Sequence, residues 1–157
     1  MYKRQQYSFS TQVTDLDNIQ NPSIHSLLSS KYHEAQMYRI NIHAEIPDPV
    51  THSYLTDLDL AVVLGHLMDK AIAGARKAND GFISLAYFDE DDSQSFIVES
   101  TLSDEHAPLL MRDSQTSHFE GGLGANAVQD ILERYPNTSF SVRSQNRKMM
   151  QILEMRP

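Results

Sequence analysis

Apolar residues recur every three or four positions in three stretches of the chain, which predicts three amphipathic helices. The first covers residues 21–37, where Asn21 stands at a capping position and Pro22 at the first helical position. The second covers residues 57–80 and the third covers residues 125–135. The residues predicted to share one face are Ile24, Leu27, Leu28, Lys31 and Ala35 in the first helix, Leu60, Leu64, Leu67, Met68, Ala71, Ile72 and Ala75 in the second, and Ala127, Val128, Ile131, Leu132 and Tyr135 in the third.

Alternation of apolar and polar residues predicts five strands. Residues 40–46 alternate and stop at Pro47, which cannot donate to a strand ladder. The remaining four strands form two pairs, each around a short turn, so each pair is predicted to be an antiparallel hairpin. The first pair is residues 82–88 and 94–100, and the second is residues 138–144 and 149–155 with a turn at 145–148.

Residues 101–120 are polar and lack periodicity, which predicts a long loop or lid. The elements therefore follow the order helix, strand, helix, two strands, loop, helix, two strands. Helices interspersed with hairpins favour an α/β two-layer sandwich, in which a mixed, mostly antiparallel sheet is covered on one face by helices.

The 157 residues, with 40% hydrophobic content, suit one domain with one core. We expect that domain to occupy residues 21–157. Residues 1–20 are expected to be an irregular or non-native N-terminal segment and the end of a linker to a missing region. Within them, "MYKRQ" at residues 1–5 reads like translated adapter sequence. The chain is therefore expected to be an N-terminally truncated piece.

Composition disfavours several classes of function. The formal charge of −8, with no cluster of Lys or Arg, argues against binding to nucleic acid or to an anionic membrane surface. The chain has no cysteine, which excludes disulfides, thiolate zinc sites and a cysteine nucleophile. A Gly-x-Ser-x-Gly elbow, typical of serine hydrolases, is also absent. His25 and His33 have no third ligand nearby in the sequence, so we assign no zinc site.

The stretch "GGLGANAVQDILERY", residues 121–135, joins a glycine cluster to the third predicted helix. Without Cβ atoms, Gly121, Gly122 and Gly124 let backbone amides approach phosphate oxygens, and a helix starting at Ala125 directs N–H groups toward them. The same glycines suit a simple turn before a core helix, and the P-loop ending Gly-Lys-Ser/Thr is absent. From these residues alone, both interpretations stay open.

Three stretches in this order resemble the ATP-binding catalytic domain of sensor histidine kinases, in the GHKL superfamily, and most closely the agr-type peptide-sensing kinases. Residues 21–47 resemble the helix and strand that link the family's dimerization region to its ATPase core. "DLDLAVVLGHLMDKAIAGARKA", residues 57–78, resembles the N box, and "GGLGANAVQDILERYPN", residues 121–137, resembles the second glycine box. The resemblance covers most of residues 21–155 and implies a Bergerat-type ATPase fold.

The resemblance implies an ATP site with Mg²⁺ at the N box. The two family asparagines that supply amide oxygens to the ion fall on His66 and Lys70 in this chain. Imidazole is a poor ligand for Mg²⁺, so His66 is only a weak metal candidate, whereas Lys70 can pair with phosphate directly. Positions four apart share a helix face, so these two residues, with Asp69 one residue off that face, form a predicted nucleotide-facing surface. A solvated polar face is the alternative.

The implied adenine end departs further from the family. No glycine lies between positions 81 and 121, so the family's Asp-x-Gly-x-Gly box is missing. Glu99, Ser100 and Thr101 occupy the matching place, and Ser100 is taken as a nucleotide-binding candidate. Gly121, Gly122, Gly124 and Ala125 are the candidates for the phosphates, and the family's lid falls on the polar segment that carries Arg112.

The expected function is an ATP-binding catalytic domain of a two-component sensor histidine kinase, which transfers the γ-phosphoryl group to a histidine on a dimerization domain missing from this chain. The alternative is a degenerate pseudokinase or protein-interaction module with weak or no ATP binding. The implied partners are ATP, Mg²⁺, the upstream dimerization domain and a cognate response regulator. The implied parent is a membrane-bound homodimer with this domain in the cytoplasm.

Overall fold

The computed structural model describes residues 15–102 and 122–157, of which residues 122–125 are described by their backbone alone. Three helices and five strands are formed in this part of the chain. They are α1 (Pro22–Met37), β1 (Asn41–Glu45), α2 (Asp57–Arg76), β2 (Phe82–Asp89), β3 (Gln94–Thr101), α3 (Gly122–Glu133), β4 (Ser139–Gln145) and β5 (Lys148–Met155).

The five strands form one sheet in the order β1-β2-β3-β5-β4. β1 runs parallel to β2, while the pairs β2–β3, β3–β5 and β4–β5 are antiparallel. Because a parallel pair needs a long connection, α2 crosses over the sheet between β1 and β2. The two predicted hairpins, and the predicted mixed, mostly antiparallel sheet with helices on one face, are confirmed.

The core lies between the helices and one face of the sheet. Strand residues alternate between buried and half-buried or exposed positions, as a sheet with one covered face requires. In α2, all seven residues predicted to share a face are buried. The largest fully buried side chains are Tyr87, Phe96, Ile24, Leu28, Ile46, Leu60, Leu64, Leu67, Met68, Ile83, Leu85 and Met149.

Caps at the helix starts explain where the first two helices begin. The side chain of Asn21 accepts hydrogen bonds from the backbone N–H groups of Ser23 (2.9 Å) and Ile24 (3.1 Å), as predicted for a capping residue. At α2, the hydroxyl of Thr56 accepts a hydrogen bond from the backbone N–H of Asp59 at 3.3 Å. The starts of α1 and α2 are therefore set by local side-chain chemistry.

Several predicted boundaries and faces were wrong. α3 begins at Gly122, not at residue 125, because the first N–H groups of a helix need no intrahelical partner and glycine is tolerated there. α2 ends at Arg76, not at residue 80. Ala127 is exposed because it lies about 100° around the helix from Val128, which is buried.

The buried position of α1 next to Lys31 is taken by Tyr32, whose ring lies in the core and whose hydroxyl donates to the carbonyl of Ile42 at 3.3 Å. Lys31 itself is only partly buried, because its aliphatic stem can lie along the helix while its charge stays near water. The buried face of α1 therefore includes Tyr32, which the prediction had left out.

Two connections are fixed by backbone requirements. Between α2 and β2, a Cβ at Gly81 would overlap the carbonyl oxygen of Ala75, so only glycine fits. Between β4 and β5, Asn146 (φ 52°) and Arg147 (φ 60°) both have positive φ, the pattern of a two-residue type I′ hairpin turn. The turn lies where the sequence predicted it.

Candidate functional site

The second half of α2 lies very close to the end of β3. A Cβ at Gly74 would sit 3.1 Å from the carbonyl oxygen of Thr101 and 3.2 Å from Cδ2 of Leu102. Glycine at this position therefore lets the helix approach the strand end directly. The approach brings the N-box segment of α2 together with Ser100, which the sequence had selected separately.

His66 and Lys70 lie one turn apart on α2, and both are half-buried. Burial lowers the pKa of the His66 imidazole, and the charge of Lys70 lowers that pKa further, while Asp69 acts in the opposite direction. A neutral imidazole beside a cationic amine is an arrangement that can face an anion. It does not offer the hard oxygen atoms that Mg²⁺ prefers.

Asp69 lies apart from this pair, on the side of α2 that faces α1. Its carboxylate accepts a hydrogen bond from Nζ of Lys31 at 2.6 Å and forms an ion pair with it. Burial lowers the pKa of Lys31, but the hydrogen bonds and charges of Asp69 and, to a smaller degree, Glu34 outweigh this effect and raise the pKa overall. Asp69 thus joins two helices in this structure, and its contact with a nucleotide stays a prediction.

Two fully buried polar side chains lie beneath α2 at this end of the sheet. Ser100 is fully buried, and its hydroxyl has no hydrogen-bond partner among the described residues. Gln151 on β5 is also fully buried, and its Nε2 donates to the carbonyl of Leu67 at 3.0 Å, while Oε1 has no partner. Buried polar atoms are almost always paired. In the described part of the chain, the other buried side-chain atoms without a partner are Gln94 Oε1, Thr138 Oγ1 and Ser144 Oγ.

Gln151 was not among the residues predicted from the sequence. It stands in the buried phase of β5, between Met149 and Leu153, where a strand facing a core normally carries an apolar residue. A polar residue in an apolar phase was the signal that could have found it.

A second polar cluster, which the sequence also did not predict, joins the start of α2 to the end of α3. Asp59 is 7% exposed, and it accepts hydrogen bonds from the Tyr135 hydroxyl (2.5 Å) and from Nη2 of Arg134 (3.0 Å). The Tyr135 hydroxyl in turn accepts from the backbone N–H of Thr56 at 3.3 Å. The hydrogen bond from Tyr135 holds the pKa of Asp59 below its usual range, with smaller contributions from Thr56 and Arg134 against the effect of burial. The cluster fixes α3 to α2.

The glycine cluster is only partly described. The backbone of Gly122, Gly124 and Ala125 forms the first turn of α3, so these residues belong to the helix and not to a loop before it. Gly121 and Arg112 lie outside the described residues, as does most of the predicted lid. Contact between these candidates and phosphate stays a prediction.

Within the described ranges there is no group of three or more His, Asp or Glu side chains placed to hold a metal ion. No helix in the same ranges is long and apolar enough to cross a bilayer. Separately, the chemistry of His66, a weak ligand, and of Lys70, a cation, makes these two residues poor ligands for Mg²⁺.

The sequence profile of the GHKL domain matches residues 55–156, which is more than half of the chain. The chain belongs to the GHKL domain family. The match begins just before α2 and runs through β5, so it includes both the N-box segment and the buried pair Ser100 and Gln151. No curated protein matches the chain in sequence.

Solved structures with a similar fold include histidine kinases and their catalytic domains. The catalytic domain of histidine kinase ThkA has a TM-score of 0.64 and 15% identity, over 87% of this chain and 91% of that one. Histidine kinase AdeS of Acinetobacter baumannii has a TM-score of 0.62 and 15% identity, over 85% of this chain and 62% of that one. ThkA in complex with the response regulator TrrA has a TM-score of 0.65 and 16% identity, over 87% and 40%. The GHKL domain therefore has the fold of a histidine kinase ATP-binding catalytic domain.

Proposed function

We propose that this GHKL domain binds ATP and serves as the catalytic domain of a two-component sensor histidine kinase. The observation that carries the proposal is the pair of unpaired buried acceptors, Ser100 Oγ and Gln151 Oε1, beneath the N-box segment of α2. In a family whose members bind ATP, the base of the nucleotide would supply the hydrogen bonds that these two atoms lack.

The phosphates are proposed to lie toward Lys70 and the glycine-rich first turn of α3. Lys70 supplies a positive charge on the N-box face, and the first turn of α3, with Gly122 and Gly124, supplies backbone N–H groups and the positive end of the helix dipole. Gly121 precedes that turn in the sequence, and Ala125 completes it. Positioning and electrostatic stabilisation by such groups are the main means by which proteins catalyse phosphoryl transfer.

Magnesium generally accompanies ATP in this family, but the candidate residues on the N-box helix are poor ligands for it. His66 is a weak ligand, Lys70 is a cation, and Asp69 is already paired with Lys31. The remaining ligands for the ion are phosphate oxygens and water. We therefore assign no catalytic step to a metal held by His66.

The remaining properties of the proposed full-length kinase are inferred from the family. The γ-phosphoryl group would go to a histidine on an upstream dimerization domain, and the phosphoryl group would pass to a response regulator, a class of partner with which ThkA has been crystallised. We propose an agr-type peptide-sensing kinase, a membrane-bound homodimer with residues 21–157 as its cytoplasmic catalytic domain and its N-terminal part missing from this chain.

The second candidate is a pseudokinase that keeps the sandwich as an interaction module. The residues that favour it are His66 and Lys70, because they replace the amide ligands of the family's metal. Under this hypothesis the domain binds ATP weakly or not at all.

Titration with Mg-ATP and a fluorescent ATP analogue separates the two. The kinase proposal expects saturable binding below millimolar nucleotide, and a folded sample that shows none would contradict it. The matched variants are Gly122→Ala with Gly124→Ala, and Gly65→Ala on α2. The first should weaken binding while circular dichroism stays unchanged, and the second should leave binding intact because a Cβ at Gly65 meets only Leu27 at 3.7 Å.

A further inference from the structure

A cavity of about 120 Å³ lies between the starts of α1 and α2, beside the loop of residues 50–53. Its wall consists of four aliphatic side chains and one tyrosine, each at most 4% exposed: Ile19, Ile24, Val50, Leu60 and Tyr87. Its rim includes three exposed polar residues, Thr51, His52 and Asp57. A buried, mostly apolar wall with a polar rim is the usual lining of a site for a small molecule.

The volume of the cavity limits what it can hold. An apolar cavity of roughly 150 Å³ in a protein core holds one benzene molecule, whereas drug-sized ligands occupy roughly 300–1,000 Å³. The cavity is therefore too small for a nucleotide and suits one ring or one branched alkyl group. It is also separate from the nucleotide candidates, because Leu60 precedes Lys70 by ten residues, or about 15 Å along α2.

The hydroxyl of Tyr87 indicates that the ligand has a polar group. Tyr87 is 1% exposed, and its ring packs edge-on against that of Phe96, with 5.6 Å between the ring centroids. Among the described residues, the Tyr87 hydroxyl has no hydrogen-bond partner. The buried Tyr32 of α1, in contrast, donates to the carbonyl of Ile42 at 3.3 Å. Since a buried tyrosine hydroxyl is normally paired, the unpaired one on the cavity wall suits a ligand that completes the hydrogen bond.

The charges around the cavity favour an uncharged ligand. Burial and, to a smaller degree, the charge of Asp89 raise the pKa of Tyr87, so its hydroxyl keeps its proton at neutral pH and can donate as well as accept. Asp57 on the rim repels an anion, and the first N–H groups of α1 are already bound by the side chain of Asn21. A cation would have to leave water for an apolar wall, which is costly.

We propose that this cavity is a binding site for an uncharged small organic molecule that has one ring or branched alkyl group and one hydrogen-bonding group. The apolar part packs against Ile24, Val50 and Leu60, and the polar group forms a hydrogen bond with the Tyr87 hydroxyl. The site does not depend on ATP binding, so a failure of the proposed function leaves this inference standing.

The test follows the backbone amide signals of the domain by NMR while phenol, toluene or benzoate is added. Phenol should bind with a dissociation constant on the order of 1 mM and shift the signals of residues 50–53 and of the starts of α1 and α2. Toluene, which has no hydroxyl, should bind more weakly because it leaves the Tyr87 hydroxyl unpaired. Benzoate, an anion of similar size, should bind roughly tenfold more weakly than phenol or not at all.

Variants at the cavity wall assign the binding to this site. Tyr87→Phe removes only the hydroxyl, so it should weaken phenol binding roughly tenfold and leave toluene binding unchanged. The matched control is Tyr32→Phe, which also removes a buried tyrosine hydroxyl but lies outside the cavity wall, and it should keep the wild-type affinity for phenol. Val50→Phe fills the cavity and should abolish the binding of both probes.

Each outcome supports or overturns the proposal. The absence of a saturable shift at phenol concentrations tenfold above the expected constant would overturn the site itself. If Tyr87→Phe binds phenol as tightly as the wild type, or if benzoate binds as tightly as phenol, the assigned class of ligand is wrong. Should Val50→Phe not fold, Thr51→Phe places a ring at the exposed rim and should block entry, and unchanged phenol binding in that folded variant would contradict the location.

Discussion

The buried polar side chains near the two ends of α2 differ in whether they have hydrogen-bond partners. At its start, the carboxylate of Asp59 is met by Tyr135 and Arg134, and Thr56 caps the helix, so the side-chain oxygen atoms of Asp59 and Thr56 are paired within the chain. In its second half, the helix covers Ser100 and Gln151, each of which has an oxygen atom without a partner.

We infer from this difference that the polar groups at the start of α2 stabilise the fold, whereas those beneath its second half bind a ligand. A paired buried group contributes to stability, and its removal leaves its partners unsatisfied. An unpaired buried acceptor costs stability, and under the proposed function it gains its partner when nucleotide binds. Substitutions at the start of α2 are therefore expected to change stability, and those in its second half to change nucleotide binding.

The largest effect is expected at Asp59. Asp59→Ala leaves the Tyr135 hydroxyl without its acceptor and releases the end of α3, at a cost of about 2 kcal/mol in the free energy of unfolding. Urea denaturation measures the change. The exposed Asp57→Ala in the same turn should cost at most about 0.5 kcal/mol, through the helix dipole alone. Equal losses of unfolding free energy in the two variants would contradict a stabilising role for the Asp59 cluster at the start of α2.

The pH dependence of stability gives a second measure of the same cluster. The pKa of Asp59 in the folded domain lies below its usual value of 3.8. The unfolded chain therefore binds the proton more readily, so the stabilisation is complete above that value and is lost as the pH falls through the lower folded pKa. In acid titrations of unfolding, Asp59→Asn should flatten this part of the curve, and an unchanged curve would argue against the cluster.

The sequence predicted more of the fold than of the candidate site. Hairpins, the Asn21 cap and the buried face of α2 depend on local patterns, such as the alternation in 82–88 and 94–100, and they were predicted. The Asp59–Tyr135 contact joins residues 76 positions apart, and Gln151 meets α2 only after the sheet has formed. Such contacts depend on how elements pack, which no short stretch of sequence records.

Gly74→Ala and Gly65→Ala form a sharper comparison within one helix. Alanine favours a helix over glycine by about 1 kcal/mol, so Gly65→Ala, which meets only ordinary contacts, should raise stability by up to that amount. At Gly74 the new Cβ presses on Thr101 and Leu102, which offsets the gain. Because it also shifts α2 away from Ser100, it should weaken ATP binding roughly tenfold, or about 1.4 kcal/mol. Calorimetric titration of both variants checks the prediction, and equal affinities would contradict it.

The ion pair between α1 and α2 should matter less. Asp69→Asn removes the charge that holds Lys31, and since the Asp69 side chain is 58% exposed, the expected loss is about 0.5 kcal/mol. The loss should shrink at high salt, which urea denaturation at two ionic strengths would show. If Asp69 instead contacts nucleotide, as the sequence predicted, Asp69→Asn will change ATP affinity while Lys31→Met will not.

The smallest effect is expected from His66. Its pKa in the folded domain is lowered from 6.5, mainly by burial, so the unfolded chain takes up the proton first. The contribution of His66 to the free energy of unfolding is complete above about pH 6.5 and declines as the pH falls toward the lower pKa of the folded domain. Thermal unfolding between neutral and mildly acidic pH should show a shallower decline for His66→Gln than for the wild type. A steeper decline would contradict the assignment.

Gly81 has a consequence for related chains. Since a Cβ there would overlap the Ala75 carbonyl, any relative that carries a side chain at the matching position must leave its N-box helix by a different path. A side chain at that position in a homologue therefore indicates a different backbone route from helix to strand, whatever its N box has become.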